Sequence, residues 1–286
     1  MGKLIVGCGY LGVRVAQCWL DRGEEVWGTT RSAERAQLLA DLGIKPICCD
    51  VLQPQTLRDL PSVSTILYCV GFDRSAGPSM RQIYVEGLTN VLKHLQGWPP
   101  HRFIHISSTS VYSQTDGDWV DESAPTAPLS DSGRVVLEAE QALRSHAPAA
   151  IILRLAGIYG TGRLFRSDSL VNGKPLPGDP SQWLNLIHVE DAATAVLAAD
   201  ERAEASALYN VADGEPVLRG DFFRFLAELL GAPPPRFGGS EVNDRTNRRI
   251  SNARMLKGLG VPLKYPSYRQ GLAASLGMQG TTQISS

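Results

Sequence analysis

The chain has 286 residues, enough for one large α/β domain or for one domain with a small appended lobe. Its 28 basic and 29 acidic residues nearly cancel, and no basic stripe is interleaved with aromatic residues, which argues against nucleic acid or a membrane as partner and favours a small molecule. We find no apolar run of about 18 residues and no signal-peptide pattern, and the five cysteines form no C-x-x-C pair. These features predict a cytoplasmic protein with reduced thiols.

Apolar runs of strand length alternate with segments of helical period through the first two thirds of the sequence. That order is typical of βαβ units on a parallel sheet, which binds ligands at the carboxyl ends of its strands. The predicted strands are residues 4–6, 25–28, 46–49, 65–70, 103–107, 151–155 and 208–211. The predicted helices are residues 12–21, 33–42, 80–96, 135–145, 189–200 and 221–230.

The predicted fold class is therefore α/β, a doubly wound parallel sheet of the Rossmann type with a small C-terminal substrate lobe. Glycine, proline and polar residues interrupt the periodic pattern at residues 160–183. We predict an NAD(P)-binding domain over residues 1–160. Residues 161–286 then form the lobe, apart from elements at about 184–213 that return to the sheet.

A glycine-rich motif follows the first predicted strand and opens the first predicted helix. Residues 7–12 read Gly-Cys-Gly-Tyr-Leu-Gly. Gly7 allows the tight turn, Gly9 lets the backbone approach a pyrophosphate, and Gly12 lets helix and strand pack closely. The helix N-terminus adds amide donors and a positive dipole end. The cofactor-binding residues predicted from this motif are Gly7, Gly9, Tyr10, Leu11 and Gly12.

The end of the second predicted strand distinguishes NAD from NADP, because a carboxylate there accepts hydrogen bonds from the ribose 2′-hydroxyl of NAD. Residues 29–32 read Thr-Thr-Arg-Ser, without a carboxylate. Arg31 can pair with a 2′-phosphate, and Thr30 and Ser32 can donate hydrogen bonds to it. Arg35 lies one helical turn further along. The alternative is a solvated basic residue at a helix start, but the pattern favours NADP, with NAD as the second choice.

Two further positions fit a cofactor cleft. Asp50 ends the third predicted strand and either accepts a hydrogen bond from the adenine amino group or caps the next helix. Gly71 follows the fourth strand and either allows the backbone to approach the cofactor closely or is an ordinary strand-end glycine.

Four segments resemble the extended short-chain dehydrogenase/reductase family, which includes NAD-dependent epimerases, dehydratases and atypical relatives. Their order and spacing carry the resemblance, which covers nearly the whole chain. The segments are residues 84–90 (YVEGLTN), 106–112 (ISSTSVY), 153–160 (LRLAGIYG) and 187–191 (IHVED). The resemblance implies an NAD(P)-binding enzyme, although the glycine motif is one residue shorter than is usual in the family.

The Tyr-x-x-x-Lys pair of the family is missing, because Ser132 and Val136 stand at its two positions. In the family, the tyrosine exchanges a proton with the substrate, while the lysine holds the ribose and lowers the tyrosine pKa. A serine hydroxyl is too weakly acidic to replace the tyrosine unaided, and valine supplies neither a charge nor a donor. Ser132 is better explained by a helix N-terminus and Val136 by an apolar helix face.

Ser108 and Tyr112 are the catalytic candidates that remain. The resemblance aligns Ser108 with the family's catalytic serine or threonine, which would donate a hydrogen bond to a substrate carbonyl; the alternative is a strand-end serine that satisfies nearby backbone groups. Tyr112 is the nearby tyrosine, and packing is its alternative role. We interpret His188 as a structural residue. His101 and His105 have no third ligand in view, so no metal site is predicted.

Two functions are consistent with these features. The first is an NADP-dependent oxidoreductase of epimerase/dehydratase type, which acts on a small polar substrate with non-standard acid/base residues. The alternative is a non-catalytic NADP-binding redox sensor or regulatory protein, which the missing dyad favours. Three cations of the predicted lobe, Arg163, Arg166 and Lys174, are possible contacts for an acidic or phosphorylated substrate.

Overall fold

The computed structural model describes residues 2–238 and 246–277; residues 239–245 and 278–286, which belong to the predicted lobe, lie outside the described residues. The strands are β1 (Lys3–Val6), β2 (Val26–Thr30), β3 (Lys45–Cys48), β4 (Thr65–Tyr68), β5 (Arg102–Ser108), β6 (Trp119–Val120), β7 (Ile151–Leu155), β8 (Gly157–Tyr159), β9 (Trp183–Leu184), β10 (Leu186–His188), β11 (Leu208–Val211), β12 (Val217–Leu218) and β13 (Arg249–Ile250).

The helices lie between and after these strands. They are α1 (Tyr10–Leu20), α2 (Ala33–Asp41), α3 (Gly87–His94), α4 (Asp131–His146), α5 (Ser167–Val171), α6 (Val189–Arg202), α7 (Arg219–Leu230), α8 (Ala253–Leu259) and α9 (Tyr268–Ser275). A π-helical segment, Gln82–Glu86, leads into α3, and 3-10 turns occupy Pro54–Asp59, Leu95–Gly97 and Thr109–Val111.

A seven-stranded sheet forms the centre of the molecule, in the order β11-β7-β5-β4-β1-β2-β3. Every pairing within it is parallel. The seven predicted strands are the seven strands of this sheet, with small shifts at their ends, and the predicted doubly wound fold is confirmed.

Helices cover both faces of the sheet because alternate strand residues point to opposite sides. Ile5, Leu67 and Ile104 face the layer that contains α1 and α6. Leu4 and Ile66 face the opposite layer, which contains α3 and α4. A parallel sheet buried on both faces explains why these strands are almost continuously apolar.

A separate apolar cluster lies outside the sheet. Phe222 and Leu226 from α7 pack in it against Tyr268 and Leu272 from α9, and Leu170 of α5 joins them. Short strand pairs, β8 with β10 and β9 with β12, connect this region to the sheet. None of the helices that the structure describes is long and apolar enough to cross a bilayer.

Candidate active site

A cavity of about 860 Å³ runs along the carboxyl edge of the sheet. The segments that follow β1, β2, β3 and β4 and the last four residues of β5 all contribute to its wall. This edge is where doubly wound folds bind their ligands, so the cavity is the candidate site.

Three glycines shape the loop between β1 and α1. Gly7 has φ +88°, and a Cβ there would lie 2.6 Å from Cα of Val70, so only glycine fits. A Cβ on Gly9 would meet only the carbonyl of Gly7, at 3.9 Å, which leaves space on the cavity side. A Cβ on Gly12 would approach Ile5 Cγ2 to 3.0 Å, because helix and strand are in close contact there.

The N-terminus of α1 also belongs to this loop. The helix begins at Tyr10 without a side-chain cap, and its first turn contains no acidic residue. Tyr10 and Leu11 line the cavity, whereas Gly12 lies behind it. An uncapped helix start with a positive dipole end suits a phosphate group.

The end of β2 and the start of α2 form one end of the cavity. The predicted residues Thr30, Arg31, Ser32 and Arg35 all line it. Ser32 caps α2, since its Oγ accepts a hydrogen bond from the Arg35 amide at 3.2 Å. Within residues 2–238 and 246–277, Arg31 forms no ion pair.

Two carboxylates also line this end, Glu34 on α2 and Asp73 after β4. Hydrogen bonds from the hydroxyl and amide of Ser75 hold the pKa of Asp73 below its usual range, and the charge of Arg31 contributes less. Asp73 is therefore an anion whose field reaches Arg31 without a direct contact.

Asp50 and Gly71 line the cavity as predicted, beyond β3 and β4 respectively. Oδ1 of Asp50 accepts a hydrogen bond from the Leu52 amide at 2.9 Å, so the carboxylate stabilises a local turn. Its second oxygen has no hydrogen bond among the described residues. A Cβ on Gly71 would meet nothing within 4 Å, which shows an open face toward the cavity.

Ser108 lies at the other end of the cavity, at the last position of β5. Its Oγ accepts a hydrogen bond from the Ser110 amide at 3.1 Å. The hydroxyl proton therefore remains available to a ligand. Ser108 can therefore satisfy the backbone and donate a hydrogen bond to a ligand at the same time.

The two positions at which the family has its tyrosine and lysine differ in their surroundings. Ser132 is exposed in the first turn of α4, with its Oγ 3.2 Å from that of Ser130, the N-cap. Val136 is 6% exposed and lines the cavity. Helix α4 thus presents an apolar side chain to the site.

Tyr112 is fully buried and does not line the cavity. Its hydroxyl donates a hydrogen bond to Asn210 Oδ1 at 2.9 Å and accepts one from Arg154 Nη1 at 2.9 Å. Both bonds would have to break before the phenol could reach a substrate. This position contradicts the predicted catalytic role of Tyr112, and its alternative role in packing accounts for it.

Tyr84 is a cavity residue that the sequence did not single out as a site residue. Its ring lies edge-on to that of Phe72, with 6.5 Å between the centroids. Burial raises the pKa of its phenol. A hydrogen bond with the Phe72 backbone and the charge of Arg163 both lower this pKa, but by less. Tyr84 is the first residue of the family-like segment 84–90, and this position is the sequence feature that could have identified it as a site residue.

Two buried polar side chains lie at the inner wall of the cavity, Tyr68 and His105. Within the described part of the chain, neither the Tyr68 hydroxyl nor His105 Nδ1 has a hydrogen-bond partner. Burial lowers the pKa of His105 to about 4, while Glu140 raises it and Arg144 lowers it further. His105 is therefore neutral near pH 7.

His188 is structural, as the sequence indicated. It is 2% exposed and caps α6, and its Nε2 lies 3.2 Å from Ser275 Oγ. Burial lowers its pKa to about 4; the charge of Glu190 raises the pKa, and the charges of Arg14 and Lys264 lower it. Over the described ranges, no three His, Cys, Asp or Glu side chains are grouped to hold a metal ion.

The doubly wound sheet, the glycine loop at the start of α1 and the cavity beside it define a nicotinamide-dinucleotide-binding protein of the oxidoreductase type. The model of the NAD dependent epimerase/dehydratase family matches residues 4–212, and the chain belongs to this family.

Three relatives illustrate the range of similarity. Protein YeeZ of Escherichia coli (strain K12) is 30% identical over 271 residues, which cover 92% of this chain and 95% of that protein. A 3-diazoavenalumate denitrifying reductase of a Streptomyces species is 32% identical over 214 residues, covering 67% and 70% of the two chains. A solved structure of a functionally unknown conserved protein from Silicibacter pomeroyi is 30% identical, with a TM-score of 0.80, over 96% of this chain and 98% of that one.

Proposed function

We propose that this protein is an NADP-dependent oxidoreductase that acts on a small polar substrate without the tyrosine–lysine pair of its family. One observation carries the proposal. A single cavity joins a hydroxyl-rich end that contains Arg31 to a hydrogen-bond donor at Ser108. The first end suits a 2′-phosphate, and the second suits a substrate carbonyl.

The cofactor fits the residues that line the cavity. The start of α1 would hold the diphosphate, and Gly9 leaves space for it there. Arg31 and Arg35 would bind the 2′-phosphate, and the free carboxylate oxygen of Asp50 would accept a hydrogen bond from the adenine amino group. When bound, the nicotinamide supplies or accepts a hydride.

NADP is favoured over NAD by the position of the charges. Thr30 and Arg31 occupy the end of β2, where a carboxylate would select NAD. Glu34 lines the same end but belongs to the first turn of α2, where its charge stabilises the helix start. Asp73 also lines this end, so the two carboxylates there balance the two cations. The preference for NADP therefore rests on Arg31, which follows β2 and forms no ion pair among the described residues.

Two hydroxyl groups serve the substrate in this proposal. Ser108 donates its free hydroxyl proton in a hydrogen bond to the substrate oxygen. Tyr84 gives a proton to that oxygen during reduction, since burial keeps its phenol protonated near neutral pH. The charge of Arg163 stabilises the phenolate that remains, and the apolar side chain of Val136 excludes water.

The relatives with reductase names support hydride transfer as the reaction class. The Streptomyces relative is described as a reductase that acts on 3-diazoavenalumate. A reductase needs one hydride and at most one proton for each substrate, so it tolerates the loss of the family's tyrosine more readily than an enzyme that must move protons repeatedly.

A screen of aldehydes, ketones and polar metabolites, with the loss of NADPH absorbance as readout, tests the proposal. We expect turnover of at least one compound. Ser108→Ala should lower kcat by about a hundredfold or more, the usual contribution of a positioned proton-bearing group. Ser132→Ala is the matched control and should stay within a few-fold of wild type. A large loss in Ser132→Ala with an intact fold, or tight NADPH binding without any turnover, would contradict it.

A further inference from the structure

Arg163 lies in a tight turn that is fixed to the start of α1. Its amide donates to the Gly160 carbonyl at 2.9 Å, and the Gly160 amide donates back to the Arg163 carbonyl at 3.2 Å. Gly162, with φ +77°, allows the turn to close. The Tyr10 hydroxyl donates to the Thr161 carbonyl at 3.1 Å, which ties the turn to the glycine loop.

The guanidinium of Arg163 lines the cavity and lies 5.4 Å from the centre of the Tyr10 ring. Its positive charge also acts on the Tyr84 phenol, which lines the cavity from the segment before α3. In the described portion of the chain, Arg163 forms no ion pair. Among the described residues, no carboxylate is therefore paired with this positive charge at the site.

The neighbouring cations are placed differently. Arg14 stacks on the same Tyr10 ring, at 4.1 Å, but its Nη1 donates to the Tyr10 carbonyl at 2.7 Å and it does not line the cavity. Arg166 and Lys174 are exposed, as Arg163 is, but unlike Arg163 they lie outside the cavity wall. Of the three lobe cations predicted as anion contacts, Arg163 alone is at the site.

We propose that Arg163 binds an oxygen of the cofactor diphosphate, so that the phosphates lie between this side chain and the N-terminus of α1. The inference rests on the proposed function. The helix start contributes only about half an elementary charge, and its first turn contains no basic residue that would add to it. Val136 leaves the α4 side of the cavity without a cation. Arg163, in the turn after β8, would supply the full positive charge that neither α1 nor α4 provides for the diphosphate.

An anionic group of the substrate has the same chemistry as a diphosphate oxygen. The diphosphate is favoured because Arg163 lies against Tyr10, the residue at which α1 begins. The two sources can be separated, since 2′-phospho-ADP-ribose contains the diphosphate but lacks the nicotinamide, and 2′-AMP lacks both.

Titration calorimetry with NADPH, 2′-phospho-ADP-ribose and 2′-AMP tests the inference on wild type, Arg163→Ala and Arg163→Lys. Arg166→Ala is the matched control, because it removes the same side chain from the same loop outside the cavity. Arg163→Ala should weaken NADPH and 2′-phospho-ADP-ribose alike, by about tenfold to a hundredfold, the value of one charge-assisted hydrogen bond. Arg163→Lys should recover part of this loss, and 2′-AMP should be unaffected.

Unchanged binding of NADPH and 2′-phospho-ADP-ribose by Arg163→Ala would overturn the inference while leaving the proposed function intact. An equal loss for 2′-AMP would also overturn it, because it would indicate a general change in the cavity; thermal unfolding without ligand checks for such a change. Failure of the wild type to bind NADPH would overturn the proposed function and this inference together.

Discussion

Glu140 and Arg154 form a buried ion pair that joins α4 to β7. Arg154 Nη2 lies 2.7 Å from Glu140 Oε2, and both side chains are 6% exposed. Ser107 donates a hydrogen bond to the same carboxylate, and Arg154 also donates to the Tyr112 hydroxyl. The network fixes α4 against the ends of β5 and β7, and thereby positions the helix face that lines the cavity.

Removal of one partner should leave a buried charge without compensation. We expect Glu140→Ala to lower the free energy of unfolding by about 3–5 kcal/mol. Glu138→Ala is the matched control on the same helix, where Glu138 pairs with Arg81 at the surface, and it should cost no more than about 1 kcal/mol. Urea unfolding measures both values. Similar losses in the two variants would show that the buried pair has no special role.

Tyr112 and Tyr84 should respond in opposite ways to the loss of a hydroxyl. Tyr112→Phe removes the hydrogen bonds that the hydroxyl makes to Asn210 Oδ1 and Arg154 Nη1. It should therefore lower the free energy of unfolding by about 1–3 kcal/mol and leave NADPH affinity unchanged. Tyr84→Phe should change stability little and lower kcat by about a hundredfold. Urea unfolding and steady-state kinetics decide this. Reduced turnover in Tyr112→Phe at full stability would restore its catalytic assignment.

The glycine loop separates cofactor binding from folding. Gly9→Val should abolish NADPH binding at an unchanged melting temperature, because the new side chain enters the cavity rather than the protein core. Gly7→Ala should instead destabilise the fold, since its φ of +88° and the contact with Val70 strain any Cβ; the backbone cost alone is roughly 1–2 kcal/mol. Calorimetry and thermal unfolding provide the readouts. Retained NADPH binding by folded Gly9→Val would mean that the loop is only structural.

His105 should make stability depend on pH. Burial lowers its folded pKa from 6.5 to about 4. As the pH falls through this window, the unfolded chain takes up a proton that the folded protein does not, so stability is lost between about pH 6.5 and pH 4. His105→Leu removes this contribution without breaking a hydrogen bond to Nδ1, and should flatten the slope.

Urea unfolding across that range measures the slope for His105→Leu and for His101→Leu, which replaces an exposed histidine on the same sequence segment. The slope of His101→Leu should match that of wild type. Equal slopes in all three proteins would contradict the lowered pKa, because they would show that His105 binds its proton equally well in the folded and unfolded states.

Apolar periodicity was sufficient to find the central sheet but not its surroundings. Strands such as β4 and β7 are mostly apolar, so their existence and order follow from the sequence. Strands β9, β12 and β13 contain two residues each, too few to show a period, and were missed. Helix α5 was missed because it has only five residues and lies in a glycine-rich stretch.

The same limit applies to the candidate site. The glycine motif and the end of β2 are local patterns, and the residues that they predicted lie together along one cavity, apart from Gly12 behind it. Tyr112 could not be placed in this way, because its partners Asn210 and Arg154 are distant in sequence and meet it only through the β7 and β11 pairing. Tyr84 enters the cavity through the packing of the π-helical segment against α4, which no short motif encodes.

The ratio of the dissociation constants for NADH and NADPH, measured by titration calorimetry, tests the central claim most directly. The cavity end at Arg31 predicts that NADPH binds about tenfold to a hundredfold more tightly than NADH, the value of one charge-assisted contact to the 2′-phosphate. Arg31→Ala should remove most of this preference by weakening NADPH alone. Equal affinities in the wild type, or tighter binding of NADH, would contradict the assignment of this site to NADP.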